Sequence, residues 1–217
     1  MAAKSISIRR ANPDDAGLLA WTMLAASRAH LPRGVWDLLI GTDERGCLDY
    51  LQCLAVSEPR SLCHYESFVV AEVEGQPVGA LSMFDSREGG WATVGEAMTH
   101  LQRDIGWTEA EEAASRERVA AVWACFLPDV GAEWEIENVA TRPEYRRHGV
   151  AHALIEHALC KGRERGRKLA QIITLIGNEA AQSVYQRCGF RWSDERRCAG
   201  MASVLQAPGF VRFVRKL

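Results

Sequence analysis

The 217-residue sequence has no apolar run approaching the roughly 18–20 residues that a membrane-spanning helix needs, so no membrane partner is expected. Its first residues, Met1-Ala2-Ala3-Lys4-Ser5-Ile6-Ser7-Ile8-Arg9-Arg10, alternate polar with apolar and then turn basic, without an apolar block of signal-peptide length. They read as a first strand rather than an export signal, and the expectation is a cytoplasmic protein. No C-x-x-C pair occurs. The seven cysteines, Cys47, Cys53, Cys63, Cys125, Cys160, Cys188 and Cys198, are odd in number. That argues against a disulfide framework and a zinc knuckle, leaves buried free thiols as the common reading, and gives no reason to expect a metal site. An excess of basic charge is also missing: 26 Lys and Arg against 28 Asp and Glu give a net charge of −2. The one dense basic run, residues 161–168, falls at the end of a predicted helix, where cations complement the dipole, so nucleic acid is not an expected partner. Internal repeats and low-complexity tracts are absent. So are the two best-known phosphate-binding signatures, G-x-x-x-x-G-K-[ST] and G-x-G-x-x-G.

What is present is an ordinary core-forming composition, 47% hydrophobic and 25% charged, consistent with one α/β domain over residues 1–217. Asn12-Pro13-Asp14-Asp15 is a helix start: Asn12 caps, Pro13 fits the first turn, and the acids face the positive end of the dipole. A second helix is expected around 44–56. Residues 67–84 read as a hairpin, turning at Glu74-Gly75-Gln76-Pro77. Residues 86–132 interrupt the pattern and read as an insertion, in which Thr108 and Glu111 form a capping box for a helix reaching about Trp123. From Trp134 the expected order is strand 134–141, turn 142–149, helix 150–165, strand 169–176 and helix 179–188. Such a strand–helix–strand unit implies parallel pairing. The last strands are expected at 189–193 and 210–215.

The chemically informative segment is the turn Arg142-Pro143-Glu144-Tyr145-Arg146-Arg147-His148-Gly149-Val150-Ala151. It opens a helix whose first amides are unpaired and carry partial positive charge. Small side chains at Gly149 and Ala151 let an anion approach those amides, and Arg146 and Arg147 add charge beside them. Such a site fits a pyrophosphate, although spacing alone does not identify the anion.

Arg146-Arg147-His148-Gly149-Val150-Ala151 resembles the Q/R-x-x-G-x-G/A motif of the GNAT superfamily of N-acetyltransferases. The preceding 137–145 resembles that family's fourth strand and exit turn, and Asn178-Glu179-Ala180-Ala181-Gln182-Ser183-Val184-Tyr185-Gln186-Arg187-Cys188-Gly189-Phe190 is similar to its N-x-x-A-x-x-x-Y-x-x-x-G-F helix. Ala151 stands where Gly is commoner, and the long 86–132 segment departs from the family pattern. The resemblance implies a mixed, mostly antiparallel sheet flanked by helices, with one parallel strand pair splayed at the acetyl-CoA site. It also implies direct transfer of an acetyl group from acetyl-CoA, the co-substrate, to a primary amine without an acyl-enzyme. The cofactor would meet Val139, Ala140 and Thr141 on the strand, Arg146, Arg147, His148, Gly149, Val150 and Ala151 at the turn, and Asn178, which is equally suited to cap the next helix.

Direct transfer needs a general base, a donor to the developing oxyanion and an acid for the leaving thiolate. Glu135 and Glu137 point to one face of their strand because side chains alternate with period two. Either is a candidate base, Glu137 first, with solvated surface carboxylates as the plain alternative. By resemblance, Tyr185 is the acid.

The acceptor pocket would be built by the N-terminal helices, the insertion and the final loop. Trp36, Trp91, Trp107 and Trp123 are candidates to line it or to fill the core. The acceptor is expected to be a small-molecule or peptide amine, and a homodimer is allowed. The competing reading keeps the same fold as a non-catalytic acyl-CoA sensor or scaffold. Glu135, Glu137 and Tyr185 together weigh against it, since a sensor needs only the turn.

Overall fold

The computed structural model describes residues 5–217; Met1–Lys4 of the expected first strand lie outside the described residues. Strands β1 (Ile6–Arg10), β2 (Phe68–Val73), β3 (Gln76–Asp85), β4 (Trp134–Thr141), β5 (Leu169–Leu175), β6 (Arg191–Arg197) and β7 (Gly209–Lys216) form one sheet in the order β1-β2-β3-β4-β5-β7-β6. Every neighbouring pair is antiparallel except β4 and β5.

Helices cover both faces. On one lie α1 (Ala16–Arg28), α2 (Val35–Ile40), α3 (Glu44–Leu54), α4 (Gly90–Asp104), α5 (Glu109–Trp123) and α8 (Ala199–Leu205). Their core includes Leu19, Met23, Leu39, Leu51, Phe68, Val70 and Ala80. On the other lie α6 (Val150–Glu164) and α7 (Glu179–Arg187), packed on Val69, Leu81, Trp134, Ile136, Leu154, Ile155 and Phe213. Alternation along β2 is the cause: Phe68 and Val70 feed the first core, Val69 and Ala71 the second. Each Phe or Val among them taken fully from water contributes about 1.5–3 kcal/mol.

The N-terminal signals act as expected. Asn12 Oδ1 accepts from Asp14 N at 2.9 Å and Asp15 Oδ2 from Asn12 N at 2.9 Å, closing a capping box. Thr108 and Glu111 form the second box at the start of α5.

The insertion holds two helices where one was expected. Gly89-Gly90 reads as punctuation, yet Gly90 opens α4, which burial of Val94, Ala97 and Leu101 holds in place. The short α2 is anchored similarly from outside its own sequence. Asp37 accepts from Gly34 N at 2.7 Å and pairs with Arg28 of α1 at 2.7 Å. Helix α8 carried no legible signal, and β6 runs past the expected 193 to Arg197. Its pattern of exposed polar residues does not alternate, and pairing with β7 alone defines it.

The cysteines depart from the sequence expectation at one point. Cys125, just after α5, is bonded to Cys198, just before α8, with Cα atoms 5.8 Å apart. A bridge across 73 residues is invisible to spacing arguments because tertiary packing alone brings its ends together. The other five remain free thiols. No helix among the described residues is long and apolar enough to cross a membrane.

Candidate active site

Strands β4 and β5 pair only over Trp134–Ile136 and Ala170–Ile172. Beyond Ile136, β4 continues to Thr141 in the company of β3 alone. The register on β3 passes from Ser82 opposite Glu137 to Ala80 opposite Ala140, so β4 carries one extra residue. This bulge bends β4 and raises its twist, which opens the gap from β5. Asn138 sits in it at φ 53°, a conformation that Asn tolerates, and its Nδ2 donates to Ser82 Oγ at 2.9 Å. Gly79 is required beside it: a Cβ there would lie 2.6 Å from the Ala140 carbonyl oxygen.

A cavity of about 910 Å³ passes through the gap. Val139, Ala140 and Thr141 line it, where the two parallel strands part as expected. Arg146, Arg147, Gly149, Val150 and Ala151 line its other side, whereas His148 stays exposed outside the lining. His152, in the first turn of α6, is exposed and also lines the cavity.

The turn before α6 has Arg147 at φ 66° and Gly149 at φ 86°. The first amide of α6 to find a helical partner is that of Ala153, bonded to Gly149 O at 2.9 Å. The amides before it, from Arg147 to His152, donate to no backbone carbonyl among the described residues. Left-handed residues next to a helix start turn such amides toward a common point, and Arg146 and Arg147 supply full charges around them. A Cβ on Gly149 would meet nothing within 4 Å, so glycine is there for its φ, and the space above it is open. The donor set, the open space and the charge suit a diphosphate.

Glu135 and Glu137 do share a face, but only Glu137 lines the cavity. Trp134 and Ile136 occupy the α6–α7 side, so both carboxylates project to the α1–α5 side, where Glu137 lies near the buried Cys63 thiol. Burial holds the Glu137 carboxyl well above the usual carboxylate range, and the charge of Glu135 adds to it. Glu135 is also raised by burial, opposed by a hydrogen bond from the Gln171 side chain and by the charge of Arg212. Glu135 is thus part of a buried polar group at the base of β4, not of the cavity wall.

Tyr185 projects from α7 into the opposite core, 6.1 Å between ring centroids from Phe213 and 6.5 Å from Phe190. Burial raises its hydroxyl well above the ordinary tyrosine range, with the charge of Glu137 next, against a hydrogen-bonding contact with Thr174. The phenol therefore stays protonated at neutral pH.

Asn178 caps α7, accepting from Ala181 N at 3.4 Å, while its Nδ2 donates to Thr174 Oγ1 at 3.0 Å. The capping role was legible in the sequence; the link through Thr174 toward Tyr185 was not. Sequence reasoning also passed over Ala181, Val184 and Arg187, which line the cavity. Their i, i+3, i+6 helical spacing in α7 was a usable signal.

The candidate tryptophans divide. Trp36, Trp91 and Trp123 line the cavity, while Trp107 packs on Tyr50 with ring centroids 5.8 Å apart, away from the lining. Among the described residues, His152, Glu156 and Cys188 bring possible metal-ligand atoms within 4.8 Å of one another. Glu156 already accepts from Arg215 Nη1 at 2.8 Å, and burial pushes the Cys188 thiol up to about 11, so this group is charge-paired rather than poised for a cation.

The family model for the acetyltransferase (GNAT) family matches residues 39–190. Among solved structures, an N-acetyltransferase from Staphylococcus aureus Mu50 is similar at 18% identity and TM-score 0.67, over 96% of this chain and 100% of that one. An acetyltransferase structure matches at 16% identity and TM-score 0.67, over 97% and 98%. The polyamine N-acetyltransferase of Drosophila melanogaster, which forms N-acetylagmatine, matches at 17% identity and TM-score 0.55, over 98% and 100%. At these identities the likeness is one of fold. No curated protein matches the chain.

Proposed function

Because the chain belongs to the acetyltransferase (GNAT) family, we propose that it moves an acetyl group from acetyl-CoA to a primary amine, with Glu137 as base and Tyr185 as acid. Acetyl-CoA supplies an acyl group activated as a thioester. The open amides of residues 147–152, with Arg146 and Arg147, bind its diphosphate. The free edge of β4 at Val139–Thr141 offers backbone groups to the extended arm of the cofactor in place of the missing β5 partner.

The carrying observation is the division of labour across the sheet. Glu137 faces the α1–α5 side and Tyr185 the α6–α7 side, and the gap between β4 and β5 opens between them. An amine held on the first side loses its proton to Glu137, directly or through a water, whose raised affinity for a proton matches it to neutral operation. On the second side the protonated phenol donates toward the departing sulfur. The test is release of free CoA thiol from acetyl-CoA by the full chain with an amine panel, matched by N-acetyl product. CoA binding without thiol release for any amine sinks the catalytic reading.

A further inference from the structure

Resting on that reading, we infer that the acceptor is a small primary amine bearing a flat apolar body and no second cation. The cavity has two chemically different halves. Its positive side chains, Arg146, Arg147 and Arg187, lie at the phosphate turn and α7. Past Glu137 the wall passes to α1, α2 and the insertion helices, with Trp36, Leu39, Trp91, Met98, Trp123 and Phe126. Glu137 is the one acidic side chain in the whole lining among the described residues.

One carboxylate matches one ammonium. A polyamine or a guanidino-amine would carry its second cation into the apolar half, where no carboxylate meets it and its lost hydration goes uncompensated. A flat apolar body meets the opposite situation. Trp91, Trp123 and Phe126 stand edge-on to one another, with centroids 5.7–6.2 Å apart, and Phe126 packs 5.4 Å from Phe210. Trp123, which lines the cavity, is 43% exposed, and a ring bound against it would take apolar surface from water. The residue 86–132 insertion thereby acquires a role: α4 and the end of α5 build the acceptor wall, and the Cys125–Cys198 bond ties that end of α5 to the chain before α8.

The experiment compares kcat/KM for 2-phenylethylamine and tryptamine with agmatine, spermidine and a short peptide with a free N-terminus. Calorimetric binding of each amine to the CoA-loaded chain runs in parallel. The arylalkylamines are expected to lead agmatine and spermidine by about 100-fold, and Met98→Asp, which adds a carboxylate to the apolar half, to shrink that ratio by about tenfold. Agmatine, spermidine or the peptide reacting as well as or better than the arylalkylamines overturns the inference and leaves the transferase standing. Arylalkylamines that bind selectively but are not acetylated sink the transferase reading and leave standing the cavity's preference for a flat apolar monoamine. Arylalkylamines that neither bind nor react overturn it.

Discussion

Glu137 and Tyr185 stand on opposite faces of one sheet, yet the carboxylate charge reaches the phenol and raises its proton affinity. The cavity-lining carboxylate on one side and the phenol in the α6–α7 core on the other interact where β4 leaves β5 after Ile136. In the proposed reaction, the gap lets a base on one side and an acid on the other address a common bond.

Replacing Tyr185 by Phe removes the donor and keeps the ring packing against Phe190 and Phe213. Turnover is expected to fall about 10²–10³-fold, within the usual range for general acid–base groups, with CoA affinity nearly unchanged. Steady-state rates set against equilibrium CoA binding check this; an unchanged kcat removes Tyr185 from the chemistry.

The two glutamates separate by pH profile. With Glu137 as base, kcat/KM rises as pH climbs through its raised pKa, so the acidic limb lies above the usual carboxylate range. Glu137→Gln abolishes that limb and costs about 10²–10³-fold. Glu135→Gln removes a like charge and moves the limb to lower pH, with a smaller loss of rate. The reverse assignment, limb lost with Glu135→Gln and kept with Glu137→Gln, exchanges their roles.

Glu137 also carries a stability cost. A carboxyl raised in the folded state binds its proton more tightly there than in the unfolded chain, so stability falls as pH rises from about the reference 4.5 through the folded pKa. Glu137→Gln is expected to raise Tm at pH 8 by roughly 2–4 °C, the shift about 1 kcal/mol gives in a chain this size, and to have little effect near pH 4. A variant less stable than wild type at pH 8 contradicts the sign.

Gly149→Ala places a Cβ in open space but at φ 86°. The backbone strain, roughly 1–2 kcal/mol, falls on the turn that orients the open amides. Binding of CoA, titrated calorimetrically, should weaken about tenfold, equal to about 1.4 kcal/mol, with Tm lowered by only a few degrees.

At Asp37 burial alone would raise the carboxyl, but the Arg28 guanidinium and the Gly34 amide outweigh it and hold it below the usual range. Its contribution is present above the unfolded pKa and lost as pH falls through the folded one. Asp37→Asn should cost about 2 kcal/mol at neutral pH and much less near pH 3, read by urea unfolding at both pH values. Equal losses at the two would remove the ion pair as the cause.

Local signals in the sequence were enough for the elements that carry a local cause. The capping box at Asn12, the hairpin turn at 74–77, and the strand–turn–helix unit from Trp134 to Glu164 follow from turn chemistry and from period two or 3.6. The same local reading singled out Gly149, because a helix start is written within a few residues, whereas Val139 and Tyr185 came from the resemblance to the family motifs.

Other features depended on residues far apart in the chain. Helix α4 forms around its buried face despite its glycines, β6 exists because β7 pairs with it, and Cys125 meets Cys198 only after folding. Above all, period two placed Glu135 and Glu137 on one face but could not rank them. The bulge at Asn138, the β4–β5 gap and the packing of α1, α2, α4 and α5 open Glu137 to the cavity and enclose Glu135 with Gln171 and Arg212. Sequence alone determined which groups were on offer, through contacts between near neighbours. Tertiary structure decided which of them face the cavity, because burial, charge and cavity walls are set by segments that meet only when the chain is folded.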